Sequence, residues 1–468
     1  MSITLRSPRR ERLSPAARKS ILGGVITLFI DSYDIYLPAL VLPAALGYFE
    51  PASMSSTLKA TLDTIVFTVT LLGRPIGGPI FGNLADRIGR KRVAMITGIG
   101  FTVLTGLMAC LPGYKQWGFA SIGVLIALRL VNGIFLGGGY AGPIPLAIER
   151  SPKRLRGLVG GIVVLGAPLA FVVISLIQLL VLDHLSKSTF LVWGWRIPFV
   201  VGAILGVFYL AYFWKGVPEI EMQELQEARK AKRPPLLELI RGPQARPLMQ
   251  VVLLMTGMWF ASQMTVSFQP VVLITVLHQA PDSVSHFLIV SSLITGAGMV
   301  IYGVLSQWLG RRAMLRWVAV SVLIIGSLSW LFMVRFADSG KSFTSIAVMA
   351  AIASFVTNAP LGVFVVYLNE RFGTRVRSAG YSTAYTFGLI LPGLYTVWVK
   401  GLAHIVPFAY TAMFLIPLGG LLVFIAATLG PETRDATLLE HETPAPEAEP
   451  AAVRVSSPQR EREVATRS

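Results

Sequence analysis

Two stretches of this chain repeat each other at one fixed separation, and that repeat narrows the fold more than any other feature. Gly82-Asn-Leu84-Ala-Asp86-Arg87-Ile-Gly89-Arg90-Lys91-Arg92 shares its Gly, Leu, Gly and Arg with Gly303-Val-Leu305-Ser-Gln307-Trp-Leu-Gly310-Arg311-Arg312, 221 residues on. A second pair keeps the same shift: Ile148-Glu149-Arg-Ser-Pro-Lys-Arg154-Leu-Arg156 returns as Asn369-Glu370-Arg-Phe-Gly-Thr-Arg375-Val-Arg377. Two motifs with one offset mean two copies of a half-length unit, and duplication settles architecture before any local assignment does.

Each of the paired cationic turns lies between long apolar runs. A turn of that kind belongs on the cytoplasmic face of a bilayer, where Lys and Arg are retained. Its glycines let helix ends approach closely, and Asp86 among four positive charges suggests an ion-pair latch. Composition agrees: 54% of residues are hydrophobic, 14% are charged and the mean hydropathy is +0.65. That leaves too little polar cover for a soluble protein of 468 residues. The net charge of +17 is concentrated in alternate loops, with no basic face interleaved with aromatics, so nucleic acid is not an expected partner. One cysteine, Cys110, excludes an internal disulfide and a cysteine metal cage. The start, Arg6-Ser-Pro-Arg9-Arg10-Glu-Arg12, is too polar for a cleavable signal, and the first apolar run reads as a retained anchor.

Spanning a hydrocarbon core takes ~20 helical residues. Runs of that length fall at 20–46, 59–83, 93–112, 119–148, 157–182 and 193–215, then at 248–277, 284–308, 314–335, 343–368, 379–401 and 406–430. The fold class expected is therefore an all-α membrane protein with twelve transmembrane helices in two pseudo-symmetric six-helix bundles. Its domains are a disordered basic N-terminus 1–18, a first bundle 19–215, a linker 216–247, a second bundle 248–430 and a disordered tail 431–468. The linker contains a helix-forming stretch, Glu219 to Lys230. Lys and Arg are concentrated in the N-terminus and in loops 84–92, 149–156, 216–247, 309–316 and 370–377, which makes both termini cytoplasmic. Trp117, Trp193, Trp195 and Trp398 are expected as interfacial anchors at outer ends.

An acid or Arg near the centre of a membrane helix costs ~2.5–3.5 kcal/mol on insertion scales, so it tends to be paired and functional. Asp34 lies about 15 residues, ~22 Å, from the inner end of the first run. Arg74 lies about 12 residues from Asp86, and Arg129 about 10 from the outer end of the fourth run. All three fall near mid-membrane. Asp31 shares the helix face of Asp34, and Tyr33 and Tyr36 form a neighbouring stripe that can stack on or hydrogen-bond a ligand. Asp34 is able to neutralise either Arg74 or Arg129, and its protonation would release that Arg. The second half offers polar groups instead, among them Asn358 and Tyr385 as cavity-lining candidates beside Gln263, Gln269, Tyr302, Tyr367 and Tyr381. Enzyme signatures are absent: Gly340-Lys341-Ser342 ends like a phosphate loop, but Arg335 stands where its first glycine is required. The five histidines show no metal spacing, and no cofactor is expected.

Gly82…Asp86-Arg87-Ile-Gly89-Arg90-Lys91 resembles the signature loop between helices 2 and 3 of the major facilitator superfamily, and Arg129-Leu-Val-Asn-Gly133 resembles its fourth-helix motif. Asp31-Ser-Tyr33-Asp34, Arg74-Pro75-Ile-Gly77, Trp193-Gly-Trp195-Arg196-Ile-Pro198, Glu370-Arg-Phe-Gly-Thr374-Arg375-Val-Arg377 and Pro431-Glu432-Thr433-Arg434 are similar to its metabolite:proton symporter branch. The resemblance covers residues 20–434. It implies the major facilitator fold and the import of organic acids, shikimate-like compounds or betaine and proline osmolytes with protons into bacteria. It also implies a monomer in the bacterial cytoplasmic membrane. Asp34, with Asp31, would handle the proton, and Arg74 and Arg129, with Tyr33, Tyr36, Asn358 and Tyr385, the substrate. Gly82, Asp86, Arg87, Gly89, Arg90, Glu149, Arg156, Glu370 and Arg377 would form the cytoplasmic gate. Two departures stand out. Gly139 replaces the acid of a Gly-Gly-Glu-aromatic motif in helix 4, which shifts weight to Asp34. Gln307 replaces an Asp, which weakens the latch on that side. The function expected is proton symport of a small carboxylate by alternating access. The alternatives are an uncoupled exporter or facilitator of the same fold, and a non-transporting sensor.

Overall fold

The computed structural model describes residues 13–51, 53–186, 189–217 and 235–438. The first bundle is built from α1 (Pro15–Ala45), α2 (Ser56–Ile88), α3 (Arg90–Ala109), α4 (Phe119–Gly139) with its continuation α5 (Pro143–Glu149), α6 (Arg156–Val164) with α7 (Gly166–His184), and α8 (Arg196–Lys215). A short linker helix, α9 (Pro235–Arg241), precedes the second bundle. That bundle comprises α10 (Ala245–Gln263), α11 (Pro281–Leu309), α12 (Arg311–Ser321) with α13 (Ser327–Asp338), α14 (Phe343–Asn358) with α15 (Leu361–Glu370), α16 (Arg377–Phe387) with α17 (Tyr395–Leu402), and α18 (Ala412–Leu429). Ten of the described helical runs are long and apolar enough to cross a membrane; α2 and the interrupted pair α16–α17 complete the twelve spans.

Breaks in the spans occur where the sequence weakens the helix. The fourth turns at Gly142-Pro143, the tenth at Ala359-Pro360 and the eleventh around Gly388 and Leu394. Loss of a backbone donor at Pro is tolerated at membrane depth only where protein covers the freed groups. Two tight turns carry the repeated motif. Gly89 (φ 104°) joins α2 to α3 and Gly310 (φ 91°) joins α11 to α12, both in the left-handed region that L side chains rarely adopt. The repeat is thus a turn requirement as well as a charge pattern.

The halves meet at the end of the molecule that carries the Arg-rich loops. There α2 packs on α16 and α6 packs on α11. A side chain at Gly82 would strike Ser382 and Ala379, and one at Gly157 would strike the carbonyl of Gly303. Small residues let backbones touch in this way where no hydrophobic driving force acts between helices.

Three of the sequence-based expectations need correction. The helix starts inside the stretch expected to be disordered, because Ser14 caps α1 by accepting from Ala17 N at 3.1 Å. The tail expected to lack structure from 431 is packed as far as Leu438, whose side chain is buried. Trp195 is no interfacial anchor: it is fully buried against Phe49 and Phe199, with the Arg196 guanidinium 4.5 Å from its ring, whereas Trp117, Trp193 and Trp398 are exposed. A π-turn over Phe190–Gly194 lies just ahead of Trp195 and shifts the helical register there. The stretch Glu219–Lys230 lies outside the described residues.

Candidate functional site

The site is positioned by the contact between α2 and α4. Gly73 and Gly77 on α2 lie against the backbone of α4, and Gly133 and Gly137 on α4 lie against Thr70 and Arg74 of α2. Leu72, Ile76 and Ile80 occupy the opposite, exposed stripe of α2. Arg74 therefore points inward, where it is 2% exposed. Its Nη2 donates to Asp31 Oδ1 at 3.1 Å and its Nη1 to the Tyr140 hydroxyl at 2.9 Å. The Tyr140 hydroxyl in turn donates to Asp31 Oδ2. Asp31, Arg74 and Tyr140 close a three-membered buried ring of hydrogen bonds contributed by the first, second and fourth spans. Arg74 Nε has no hydrogen-bond partner among the described residues.

The second bundle caps this ring with aromatic surface. Tyr385 of α16 lies tilted against Tyr140, ring centroids 4.4 Å apart, and Tyr381 stacks on Tyr385 at 5.8 Å. Trp259 of α10 meets the edge of Tyr385 at 5.2 Å and donates its indole N–H to the Tyr385 carbonyl. The Tyr381 hydroxyl is buried and has no hydrogen-bond partner among the described residues. Tyr36 is half-buried, packs edge-on to Phe171 and lies within electrostatic reach of Asp31 and Arg74.

Asp34 belongs to a separate cluster. It accepts from Thr105 Oγ1 at 2.6 Å and from Asn132 Nδ2, and Arg129 lies within electrostatic range. Arg129 Nε donates to the Val66 carbonyl at 3.1 Å. Both arginines named for Asp34 in the sequence reading act on it electrostatically, while the acid that Arg74 bonds directly is Asp31. The three-residue spacing puts both acids on one helix face about 4.5 Å apart along the axis, enough for each to meet a different set of hydrogen-bond donors. Tyr33 is turned away from the ring, its hydroxyl donating to the Pro198 carbonyl at 2.9 Å. Asn358 sits in a polar network of the second bundle, accepting from Ser262 at 2.6 Å and donating to Thr265 at 2.9 Å.

The residues expected to form a gate lie across the seam between the bundles. Asp86 caps the first turn of α16, accepting from Ser378 N at 3.2 Å and Ala379 N at 2.8 Å. A carboxylate at a helix N-terminus is favoured by the unpaired N–H groups and the helix dipole. Glu149 binds Arg90 of its own half and Arg377 of the other, and Arg90 Nε donates to Ser378 Oγ at 3.0 Å. The other half mirrors this arrangement at the offset of the repeat. Arg311 makes a two-pronged contact with Glu370 at 3.1 and 3.2 Å, and Arg156 lies in electrostatic reach of Glu370. Gln307, in the place of Asp86, accepts from Gly157 N at 3.3 Å at the start of α6. One long neutral bond thus replaces two charged ones, while Gln307 also accepts from Arg311 Nη2 at 2.8 Å. Gly82 and Gly89 provide the close approach and the turn. Arg87 is exposed and, among the described residues, makes no side-chain bond to either network.

Sequence reading passed over Tyr140, Thr105, Asn132, Trp259 and Ser378, whereas Tyr381 was among its polar candidates. A signal existed only for Tyr140, which stands at the aromatic position of the motif whose acid is replaced by Gly139.

Comparison with known proteins agrees with this architecture. Residues 24–388 match the profile of the Major Facilitator Superfamily. The proline/betaine transporter of Escherichia coli (strain K12) is 27% identical over 393 residues, covering 81% of this chain and 76% of the relative. The shikimate transporter of the same strain is 26% identical over 396 residues, covering 82% and 87%. The inner membrane metabolite transport protein YhjE, also from that strain, is 29% identical over 434 residues, covering 91% and 93%. Among solved structures, the proton:xylose symporter XylE bound to 6-bromo-6-deoxy-D-glucose superposes with a TM-score of 0.69 at 17% identity, over 91% of this chain and 98% of that one. With a duplicated six-helix unit, a latch at the repeated turns and a family profile across most of its length, this chain belongs to the Major Facilitator Superfamily of transporters.

Proposed function

We propose that this transporter carries a small carboxylate-bearing metabolite into the bacterial cell together with a proton, by alternating access about the Asp31–Arg74–Tyr140 ring. The observation that carries the reading is the buried Arg74–Asp31 pair at the join of the bundles, 3.1 Å long, under the Tyr385 ring. The Arg-rich end is the cytoplasmic face, as retention of positive loops requires, so the latched seam is the cytoplasmic gate in its shut state.

Charge conservation provides the coupling. In the empty carrier Arg74 is neutralised by Asp31. When a proton neutralises Asp31, the guanidinium loses its counter-ion and a substrate carboxylate takes that place, so the loaded site is again neutral. Binding of either alone leaves one uncompensated charge at bilayer depth, a cost of several kcal/mol. That cost disfavours rocking between states with only one partner aboard. On the cytoplasmic side Asp31 gives up its proton, recaptures Arg74 and displaces the substrate. Arg129 and Asp34 hold the helices of the first bundle together in this scheme and contribute charge to the cavity wall. The relatives named for proline, betaine and shikimate support a carboxylate cargo, since all three compounds bear one.

A second reading concerns the rest of the substrate. Tyr140, Tyr381, Tyr385 and Trp259 form an aromatic surface beside Arg74. Such faces attract quaternary ammonium groups, so a zwitterion of the betaine kind would place its carboxylate on Arg74 and its ammonium on the rings, the rings then offsetting the positive charge that remains when Asp31 is protonated. A thermal-shift and uptake screen of simple carboxylates, aromatic acids and betaines separates these cargoes.

The coupling is tested with Asp31→Asn in proteoliposomes. The variant should lose accumulation driven by a pH gradient yet retain exchange of labelled for unlabelled substrate. Undiminished uphill uptake would remove Asp31 from the proton step. Proton movement absent from the parent protein would favour a facilitator or exporter, and saturable binding without any flux would favour a sensor.

A further inference from the structure

The surface of the second bundle carries a groove of about 410 Å³ between the seventh, eleventh and twelfth spans. Met249, Thr256 and Phe260 of α10 form one wall, with Leu391 and Trp398 of the eleventh span and Leu418 of α18 opposite. The groove lies where the eleventh span is interrupted. Gly388 is pressed against Met255 of α10, whereas Leu391 and Trp398, further on, line the groove. Its rim is open: Met249 is 67% exposed and Leu391 50%. In a chain that spans a bilayer, such a rim faces hydrocarbon.

The lining has no hydrogen bond to offer a visitor. Thr256 Oγ1 donates to the Val252 carbonyl at 2.8 Å, and the Trp398 indole N–H donates to the Leu391 carbonyl at 2.9 Å. The other lining side chains named are apolar, so a polar occupant would give up its partners and gain none. Lipid is as apolar as leucine, so shape rather than hydrophobicity decides what settles there. An unfilled crevice forfeits dispersion contacts, and a flexible hydrocarbon chain recovers them.

The mouth of the groove carries a charge. Arg246 stands one turn ahead of Met249 on the same side of α10, in the first turn of the helix at the Arg-rich end. It is exposed and makes no hydrogen bond or ion pair among the described residues. We propose that the groove binds one acyl chain of a phospholipid from the leaflet at the Arg-rich end, with the lipid phosphate on Arg246. The chain runs inward along α10 for ~16 Å, from Met249 to Phe260. Phe260 adjoins Trp259, which holds Tyr385, so the bound chain lies beside the aromatic wall of the candidate site.

Lipid binding to the full-length protein in detergent tests this without any transported substrate, so the outcome stands apart from the proposed cargo and coupling. Native mass spectrometry counts bound dioleoylphosphatidylglycerol, and dioleoylglycerol supplies the same chains without the phosphate. The parent should bind one phosphatidylglycerol saturably, about fivefold or more tighter than dioleoylglycerol. Arg246→Gln should erase that preference. Leu418→Trp, which puts an indole in the groove, should weaken both lipids by about tenfold, whereas Leu293→Trp on the exposed face of α11 should change neither. Unaltered binding in Leu418→Trp would overturn the site, and so would a phosphate preference that survives in Arg246→Gln. A second measurement uses the parent alone, so that a misfolded variant cannot decide the matter. Phosphatidylglycerol with a diazirine in one chain should label Met249 or Leu418 in clear excess over Leu293; even labelling of the three would mean ordinary surrounding lipid and no site.

Discussion

Arg74 is held by two partners of different kinds, a carboxylate and a phenol, and that choice explains why the residue is an arginine. A guanidinium presents a planar fork of donors, so it binds Asp31 through one nitrogen and Tyr140 through the other, while a lysine ammonium offers a single point of charge. Arg74→Lys is therefore expected to preserve the charge but lose the fork. The KM for substrate should rise by about tenfold or more, the equivalent of ~1.4 kcal/mol of binding, with expression unchanged. Uptake kinetics in cells measure this directly, and an unaltered KM would separate Arg74 from the cargo. Asp34 is the contrasting residue, because it accepts hydrogen bonds from the neutral side chains of Thr105 and Asn132. Sequence spacing put Asp31 and Asp34 on one face. Which arginine each acid meets depends on the inward rotation of α2 and α4, and no local pattern encodes that rotation.

At the level of the element, glycine positions decide how deep the site lies. Gly77 faces the main chain of α4 so closely that any side chain would run into the Ile134 carbonyl. Gly77→Val should force α2 and α4 apart, cost about 1–3 kcal/mol as an overpacked core does, and lower the melting temperature in detergent along with transport. Melting curves of purified protein decide it. A second device belongs to the α11–α12 turn. Burial pushes the Glu432 carboxyl up, but the backbone N–H groups of Arg434, Arg311, Arg312 and Thr433 outweigh it and hold the group below its ordinary value. The sign follows from linkage: a carboxylate depressed in the folded state stabilises above its unfolded pKa and loses that contribution as pH falls through the folded value. Parent protein should consequently lose more thermal stability than Glu432→Gln between pH 7 and pH 4, measured side by side at equal salt. Equal losses would show that the cap carries no charge-dependent stability. Neither device was legible as such. Glycines and a Pro-Glu-Thr-Arg run were visible, but their partners lie on other spans.

For the whole molecule, the duplicated sequence becomes a pseudo-two-fold seam of ion pairs and helix caps, the proposed gate. Arg90 with Glu149 and Arg311 with Glu370 are equivalent pairs, and the acid or amide at the end of each second helix caps a helix of the opposite bundle. The symmetry is broken at Gln307, whose 3.3 Å bond to Gly157 N carries no charge. Gln307→Asp restores a carboxylate at that helix N-terminus, an interaction typically worth ~0.3–1 kcal/mol. It should favour the shut gate and slow substrate turnover by about two- to fivefold if opening limits the cycle. Exchange rates in proteoliposomes are the measurement; faster exchange would mean that this seam is not a barrier to opening. The latch on the α2–α16 side already has its carboxylate, so the same logic predicts no comparable gain there.

The sequence alone determined that this protein is a membrane-embedded duplication of six helices with its positive loops on one side. Hydrophobic run length, charge placement and a repeat at 221 residues are properties of the chain in order. Membrane insertion reads those properties locally, so they survive without knowledge of contacts. Tertiary structure decided the pairing of Asp31 with Arg74, the place of Tyr140 and Tyr385 over that pair, and the return of residues 431–438 onto the gate. Each of these joins residues tens or hundreds of positions apart through the rotation of a helix about its own axis. That rotation is set by which small residues nest against which backbones, a property of two helices together that neither one's sequence contains.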